Sequence, residues 1–392
     1  MLFSNKKDTT EYGVLFEVGS GSIAAAIVSS NQASENPVIL YATREFLSLK
    51  QTTHNEDISK RLLSMFLSIA LDVESKISQH TPTKTKLSTI CVNFTAPWSF
   101  ARGNTHTYES EEPVLITDKL LSQIKEKTTE KIVEEASGLD TLKDRDFTII
   151  NRTILGHTAN HYPTTNPIGQ TARTLSTTET ISAVTNTILI PVKEIVQKLF
   201  ISTPIEFSTS TLVQQQLIKS QIDTPSTFGT IHVTHEALEL TLYRENEIVG
   251  AFTTPIGMNT IARNIAKSSK LPHEQVFSFL TAENTTNYQE GALQKIQKGF
   301  ESSVLTALSD FFFNTQSSEL LPRDFYLITT MMPSPAIINI ITEALKKSSN
   351  NRFVLHNLNT PSVHITTDAN LGSNDLGVCI LAYFFHNNLI NN

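Results

Sequence analysis

The sequence predicts an α/β protein in which two similar halves, each a mixed β-sheet with helices, enclose a cleft. A glycine-containing β-hairpin followed by a strand and helices occurs near Gly13 and again near Gly229, and such duplicated units imply two similar domains. A segment of different composition, residues 99–186, interrupts the first half. A ligand site between the halves is the usual expectation for this arrangement.

The first half begins with a β-hairpin at residues 12–28. Two apolar runs there are separated by Gly19-Ser20-Gly21-Ser22, a small polar turn of the kind that joins hairpin strands. The other elements predicted for this half are a strand at 38–42, a helix at 55–79, a strand at 87–94 and a short helix at 191–200.

Residues 99–186 form a predicted strand–helix–strand–strand unit inserted into the first half. Its parts are a polar stretch at 102–112, a charged amphipathic helix at 117–136 with Gly138 as its C-cap, a strand at 147–162, the turn Asn166-Pro167-Ile168-Gly169 and a Thr-rich strand at 171–186.

The second half repeats the hairpin and adds helices. Residues 229–242 and 247–255 are each predicted as a strand, with the turn at Arg244-Glu245-Asn246. Helices are predicted at 257–270, 272–281, 288–313, 335–347 and 375–387, and a buried strand at 325–330. The predicted domains are therefore 1–98 with 187–205, the insertion 99–186, and 206–392, whose helical part spans about 272–318.

Composition excludes several classes of protein. The 392 residues include only 14 glycines, about half the usual share of ~7%, and no two are adjacent, which excludes a P-loop kinase or a standard dinucleotide binder. The net charge of −7 and the lack of a Lys/Arg block argue against a nucleic-acid partner.

The remaining composition indicates a cytoplasmic protein. Cys91 and Cys379 lie far apart in apolar stretches, which predicts buried thiols in a reducing compartment. No stretch reaches about 18 apolar residues, and the first residues lack the apolar core of a signal peptide. We therefore expect no membrane span.

Four segments, in this order and spacing, resemble the actin-like ATPase superfamily and, more narrowly, the FtsA cell-division and PilM pilus-assembly proteins. They are Phe16-Glu17-Val18-Gly19-Ser20-Gly21-Ser22 (first phosphate hairpin), Asn166-Pro167-Ile168-Gly169 (a turn of the family's inserted interaction subdomain), Gly229 through 255–260 to Ile265-Ala266 (second phosphate hairpin and helix start) and Tyr326-Leu327-Ile328-Thr329-Thr330 (the strand before the adenosine loop). The resemblance implies a two-domain, ribonuclease H-like fold with an ATP and Mg²⁺ site in the cleft.

The positions that match the family's nucleotide-contacting residues are Glu17, Gly19, Ser20, Gly21, Ser22, His232, Thr234, Gly257 and Asn259. Several departures from the family stand among and beside them. Glu17 replaces the Asp that holds the hydrated metal, and residues 232–238 keep no glycine. Side chains there would obstruct the approach to phosphate that glycine permits, and Glu236 would add negative charge beside it. Met258, Asn264 and residues 329–332 depart from the family as well, so only 19–22 keep its pattern.

No metal site is predicted among the histidines. His232 and His235 are three apart in a predicted strand and would point to opposite faces, while His157 and His161 also lie in a predicted strand. Trp98 is expected at a domain junction, and Met331 with its neighbour Met332 is expected to fill the vacated adenosine pocket.

Two functions stay open from the sequence. The first is an actin-like scaffold with weak or lost ATP binding that docks protein partners through residues 99–186, in a cell-division or type IV pilus assembly at the inner membrane. Membrane attachment would come through a partner, because the helix at 375–387 is not followed by an amphipathic tail; self-association is open. The second is an active ATPase that uses Glu17 and residues 19–22 to close the cleft and drive polymerisation or partner exchange. A sugar-kinase variant suits the insertion less well, and no residue is assigned to catalysis.

Overall fold

The computed structural model describes residues 10–31, 34, 36–47, 55–83, 85–137, 146–221, 226–245, 247–281, 322–329, 335–348, 353–358, 366–367 and 375–391, with a few positions between 291 and 306. In chain order its strands are β1 (Thr10–Val18), β2 (Ser22–Asn31), β3 (Val38–Phe46), β4 (Thr89–Phe94), β5 (Ser99–Leu115), β6 (Phe147–Ala159), β7 (Tyr162–Thr164), β8 (Thr171–Thr185), β9 (Ile205–Thr209), β10 (Thr227–Val233), β11 (Leu238–Arg244), β12 (Glu247–Thr254), β13 (Asp324–Thr329), β14 (Val354–Asn357) and β15 (Thr366–Thr367). Its helices are α1 (Asn55–His80), α2 (Asp118–Ser137), α3 (Asn186–Leu199), α4 (Ser210–Gln221), α5 (Met258–Ser269), α6 (His273–Thr281), α7 (Pro335–Ser348) and α8 (Leu376–Asn391).

The first sheet has the strand order β15-β3-β2-β1-β4-β9. Alternation along β1 fixes its two faces, because successive side chains of a strand point to opposite sides. Val14 and Phe16 pack in the core with α1 and α3, where the Phe16 and Phe66 ring centroids are 5.0 Å apart. Leu15 and Glu17 face the other way, toward α8.

The second sheet repeats this arrangement in the order β12-β11-β10-β13-β14. β10 pairs antiparallel with β11 and parallel with β13, as β1 does with β2 and β4. One face of the sheet packs on α5, α6 and α7. The other face contributes Phe228, Tyr243 and Tyr326 to a shared core with the first sheet.

Helices α4 and α8 lie between the two sheets. Residues 376–385 of α8 join side chains from both sheets in one apolar cluster, so this layer unites the two halves. The predicted domain division stays a prediction. Two pairings cross it: β9 pairs with β4 and β15 pairs with β3, so parts of 206–392 belong to the first sheet.

The inserted unit is a four-stranded antiparallel sheet of order β5-β8-β6-β7, with α2 on one face. It also contacts the second half. Gly103 of β5 lies so close to the carbonyl of Ile248 on β12 that a Cβ at position 103 would collide with it. The insertion is therefore packed against the edge of the second sheet.

The two-halved α/β fold is confirmed, and three element predictions need correction. The first strand of the predicted insertion is β5, whose residues 99–109 pair with β8 although most of them are polar. Residues 229–242 are two strands separated by a turn at 234–237. The helix predicted at 191–200 begins at Asn186, so Pro191 lies inside it. β6 ends at Ala159 because Asn160 and His161 adopt left-handed backbone angles (φ 50° and 68°).

Some elements were not predicted, and some predictions fall beyond the described part of the chain. The sequence did not predict β9, α4, β14 or β15. Gly138, Asn246, residues 330–332 and most of the helix predicted at 288–313 lie outside the described residues.

Candidate functional site

The turn of the first hairpin and the turn of the second hairpin touch each other. Ser20 Oγ lies 3.2 Å from Thr234 Oγ1 and accepts a hydrogen bond of 3.0 Å from the backbone N–H of Glu236. Ser20 and Thr234 are each 1% exposed. Polar atoms of the two halves are thus paired with each other at the point where the halves meet.

Glycine permits this close approach at two positions. A Cβ at Gly21 would lie 2.6 Å from the Cβ of His235, and one at Gly257 would collide with the backbone of residues 235–237. The backbone N–H of Asn259 donates to the carbonyl of His235 at 2.7 Å. The second turn is therefore packed between the first hairpin and the start of α5.

Thr234 and Trp98 hold the two turns in place. Thr234 Oγ1 accepts from the N–H of Ala237 at 3.0 Å and lies 3.3 Å from the carbonyl of Ala96. The indole N–H of Trp98 donates to the carbonyl of Gly19 at 3.0 Å, and the ring is 4% exposed. Trp98 thus lies at the junction of the hairpin and the insertion.

A buried ion-pair triad lies under the first hairpin. Arg44 donates to Glu17 Oε1 at 3.0 Å and to Ser22 Oγ at 2.8 Å, and its other nitrogens donate to Asp375 at 2.6 and 2.9 Å. Burial by itself lowers the pKa of Arg44, but the carboxylates of Glu17 and Asp375 outweigh it and raise the pKa. Asp375 also accepts from the N–H of Val378, so the triad ties β1 and β3 to the first turn of α8.

Glu236 is held by side chains of α5. Its carboxylate accepts from Asn259 Nδ2 at 3.0 Å, from Thr260 Oγ1 at 3.0 Å and from both terminal nitrogens of Arg263 at 3.0 and 2.5 Å. A carboxylate at the N-terminal end of a helix also interacts favourably with the helix dipole.

His235 is buried beside this cluster. It is 3% exposed, its ring lies 5.8 Å from that of Phe46, and neither ring nitrogen has a hydrogen-bond partner among the described residues. Burial, together with the positive charge of Arg44, lowers the pKa of His235 to about 3. The imidazole is therefore neutral at physiological pH.

A small cavity of about 20 Å³ lies below the junction, enough for about one water molecule. Its polar lining includes Glu17, Asn93, Ser210, Gln214 and His232. His232 Nδ1 lies 3.6 Å from a carboxylate oxygen of Glu239.

The structure brings the nine predicted site residues together around this junction. Gly19, Ser20, Gly21 and Ser22 form the first turn, Thr234 the second, Gly257 and Asn259 the start of α5, and Glu17 and His232 line the cavity. Their role as a nucleotide site stays a prediction. His235 lies in the turn and not in a strand with His232, which corrects the expectation about that pair.

The sequence analysis did not predict the ion-pair partners of Glu17 and Glu236, which are Arg44 and Arg263. Arg44 and Asp375 are 331 residues apart, and no local pattern joins them. Arg263 could have been noticed, because it follows Asn259 by four residues and so lies on the same face of a helix.

The two histidines of the insertion have separate surroundings. His157 pairs with Thr177 at 3.0 Å, and His161 lies in the turn before β7.

No protein-family model matches the sequence, and a comparison with curated protein sequences gives no match. Solved structures do match. A chain of a PilM–PilN type IV pilus biogenesis complex matches with a TM-score of 0.58 at 12% identity, over 95% of this chain and 97% of that one. The ethanolamine utilization protein EutJ from Carboxydothermus hydrogenoformans (TM-score 0.45, 9% identity, 89% and 84% covered) and apo psk41 ParM (0.40, 9%, 98% and 100%) are also similar.

The PilM–PilN match shows the fold. The chain has the actin-like ATPase fold that the sequence predicts, and at 12% identity the match extends no further than the fold. Among the described residues, no helix combines the length and the apolar character that a membrane crossing requires.

Proposed function

We propose that this chain is a PilM-like scaffold of the actin-like fold that docks protein partners in a type IV pilus assembly and works without bound ATP. The observation that carries the proposal is the direct contact between the two hairpin turns. In an actin-like ATPase, nucleotide phosphates would occupy the space between these turns, and here side chains fill it.

Steric fit argues against a nucleotide in this arrangement. A phosphate between the turns would have to break the hydrogen bonds between Ser20 and the second turn and displace His235 from Gly21. The cavity below the junction has room for about one water molecule, which is far less than a nucleotide occupies.

Electrostatics points the same way. Glu17, which matches the metal-holding residue, is already paired with Arg44, whose charge takes the place of a cation. The carboxylate of Glu236 lies next to the second turn, so a phosphate there would meet a like charge in a partly buried setting. The residues present therefore fit a Mg²⁺·ATP group poorly.

The inserted unit is the proposed docking surface. Leu115, Tyr162 and Ile168, which are 59%, 77% and 43% exposed, lie in the strands and turn at its far end. The turn is joined to the end of β5 by a hydrogen bond from the N–H of Gly169 to the carbonyl of Ile116. Exposed apolar groups of this kind support a protein interface.

The matched pilus complex contains a second protein, PilN, which supports a partner for this chain of the same general kind. We propose a cytoplasmic location, with contact to the inner membrane made through partners. Light scattering of the purified chain measures whether it also self-associates. A cell-division assembly of the FtsA type is the alternative setting.

Isothermal titration calorimetry with Mg²⁺·ATP tests the nucleotide part of the proposal. We expect no heat of binding up to millimolar ATP, with an ATP-binding actin-like protein as the positive control. Micromolar binding would contradict the proposal and favour the ATPase alternative, for which the retained turn Gly19-Ser20-Gly21-Ser22 is the specific observation. In that case E17A should abolish turnover.

Cross-linking in the source cells tests the docking part. A double variant, L115S with Y162S, should lose the partners that the unchanged chain captures, while L67S, at an exposed leucine of α1, should keep them. Equal capture by both variants would remove the inserted unit from the proposal.

A further inference from the structure

Strand β5 has a bulge near the far end of the insertion. Its pairing with β8 is interrupted between Glu109, which lies opposite Thr174, and Val114, which lies opposite Ala172. Residues 110–113 of β5 therefore stand against a single residue of β8, and the backbone of β5 bulges there. β5 is also an edge strand, because among the described residues it pairs with β8 alone.

Three carboxylates lie in or beside this bulge, those of Glu109, Glu111 and Glu112. All three side chains are exposed, and none of them forms an ion pair within the part of the chain that the structure describes. A surface of this charge attracts a cationic partner and raises its rate of association, most strongly at low salt.

Exposed apolar side chains follow the bulge directly. Leu115 is 59% exposed and lies three residues after Glu112, about 10 Å along an extended chain. Ile168, 43% exposed, lies in the turn that is hydrogen-bonded to the end of β5. The carboxylates and Leu115 thus span about 20 Å from Glu109 onward, the length of about six extended residues.

Charge distinguishes between two occupants of this surface. A second copy of the chain that paired its own β5 here would bring carboxylates against carboxylates, which is destabilising. Pro113 also removes a backbone donor from the edge, a feature of strands that avoid pairing with copies of themselves. A partner segment that carries lysine or arginine beside apolar residues fits instead, because it supplies the opposite charge.

We propose that the segment docked by the insertion is both cationic and apolar. Glu109, Glu111 and Glu112 contact its lysine or arginine side chains, and Leu115 contacts its apolar side chains. The inference rests on the proposed function, because it takes the far end of the insertion as the docking surface, and it adds the chemistry of the partner. Charges at the rim act mainly on the association rate, whereas buried apolar contacts act on the dissociation rate.

Binding of a short fluorescein-labelled peptide in which leucine alternates with lysine, measured by stopped-flow anisotropy, tests the inference. The triple variant E109Q, E111Q and E112Q should bind this peptide about tenfold more weakly at low salt, mainly through slower association, because three exposed charge pairs are lost. Its binding should also depend less on salt. A peptide with glutamate in place of lysine should not bind the unchanged chain.

The matched control removes three exposed carboxylates elsewhere, in the triple variant E74Q, E126Q and E130Q. Because it changes the net charge by the same amount, it should bind the lysine peptide as the unchanged chain does. Equal weakening in the two triple variants would overturn the inference. So would a lysine peptide that does not bind the unchanged chain.

The cross-linking experiment in the source cells separates this inference from the proposed function. We expect the triple variant at residues 109, 111 and 112 to lose the partners that L115S with Y162S loses. If the triple variant keeps them and the double variant does not, docking stands and the cationic partner is wrong. If both keep them, docking through the insertion is wrong as well. A dimer of the purified chain that L115S dissociates would assign the surface to a second copy and overturn the inference.

Discussion

The backbone N–H of Glu236 donates a hydrogen bond of 3.0 Å to Ser20 Oγ, across 216 residues of sequence. Through this bond the turn of the first hairpin meets the turn of the second hairpin directly. The contact is buried. Beside it, Thr234 Oγ1 lies 3.2 Å from Ser20 Oγ, and Gly21 packs against His235. The two halves thus meet at this point through the chain's own side chains.

Replacing Gly21 by alanine should separate the two turns. The new Cβ would lie 2.6 Å from the Cβ of His235, and overpacking of this kind costs about 1–3 kcal/mol. Urea unfolding of G21A measures the loss. G156A on β6 is the matched control, because a Cβ there meets nothing within 4 Å.

A double variant isolates the cause of this loss. H235G removes both the Cβ and the imidazole that the new methyl group would meet, so G21A combined with H235G should lose less stability than the sum of the two single changes. Additive losses would show that Gly21 is needed for some reason other than the contact with His235.

Replacing Arg44 by methionine should destabilise the fold strongly. The side chains of Arg44, Glu17 and Asp375 are 8%, 6% and 14% exposed, and removal of the arginine leaves two buried carboxylates without a cation. Breaking a buried pair in this way costs about 3–5 kcal/mol. Adding E17Q should restore part of the loss, as denaturant titration can measure.

The control for Arg44 is an exposed ion pair. Lys198 and Glu194 are 78% and 60% exposed and 3.9 Å apart, and such pairs contribute about 0–1 kcal/mol. K198M should therefore change the free energy of unfolding little. A loss in R44M as small as that in K198M would show that the triad is not a stabilising element.

The free energy of unfolding should decrease as the pH is lowered, because His235 resists protonation in the folded chain. Its pKa is lowered to about 3 in the folded chain, against about 6.5 in the unfolded chain. Because the folded state disfavours the protonated ring, the stability from this group is fully present above pH 6.5. It is lost as the pH falls from 6.5 toward 3, by about 1.4 kcal/mol per pH unit.

Unfolding free energies at pH 7.5, 6.5 and 5.5 check this dependence. The stability of the unchanged chain relative to H235L should drop by about 1 kcal/mol between the last two pH values, because half of the imidazole in the unfolded chain is already protonated at pH 6.5. H161N, which alters an exposed histidine, should retain the full pH dependence of the unchanged chain. An H235L variant with the same pH dependence would assign the effect to other groups.

Gly103 should be required for the contact between the insertion and the second half. A methyl group there would collide with the carbonyl of Ile248, so G103A should weaken the packing of β5 on β12 and speed hydrogen exchange along β12. G250A on β12 itself is the control, because its Cβ would come no nearer than 3.6 Å to Leu242. Equal rates of hydrogen exchange along β12 in G103A and G250A would contradict the role given to Gly103.

The sequence predicted the fold well because local patterns determine it. Three patterns indicate secondary structure that forms between residues close together in the sequence. They are the alternation in residues 12–28, the helical spacing after Asn55 and the repeat of the hairpin near Gly229. Strand β5 was harder, because pairing with β8 and not side-chain character makes its polar residues extended.

The nine predicted site residues do lie together in the folded chain, but the sequence did not predict the contacts around them, and their binding role stays a prediction. The departure of Glu236 from the family's glycines was visible in the sequence, whereas its partners on α5 were not, because the turn and the helix meet only in the folded chain. The triad of Arg44 depends likewise on α8 returning to the first sheet. Long-range pairings of this kind leave no periodic signal.

The return of α8 to the first sheet also has a consequence for synthesis on the ribosome. Ser30 Oγ on β2 and His386 Nδ1 on α8 are 2.6 Å apart but separated by 356 residues, which a ribosome adding about 5–20 residues per second makes in roughly 20–70 s. During that interval the apolar face of β1 and β2 that α8 will cover lacks its covering helix. The nascent chain is therefore expected to need a chaperone at this face, and its yield should depend on chaperone supply more than that of a chain whose sheets close locally.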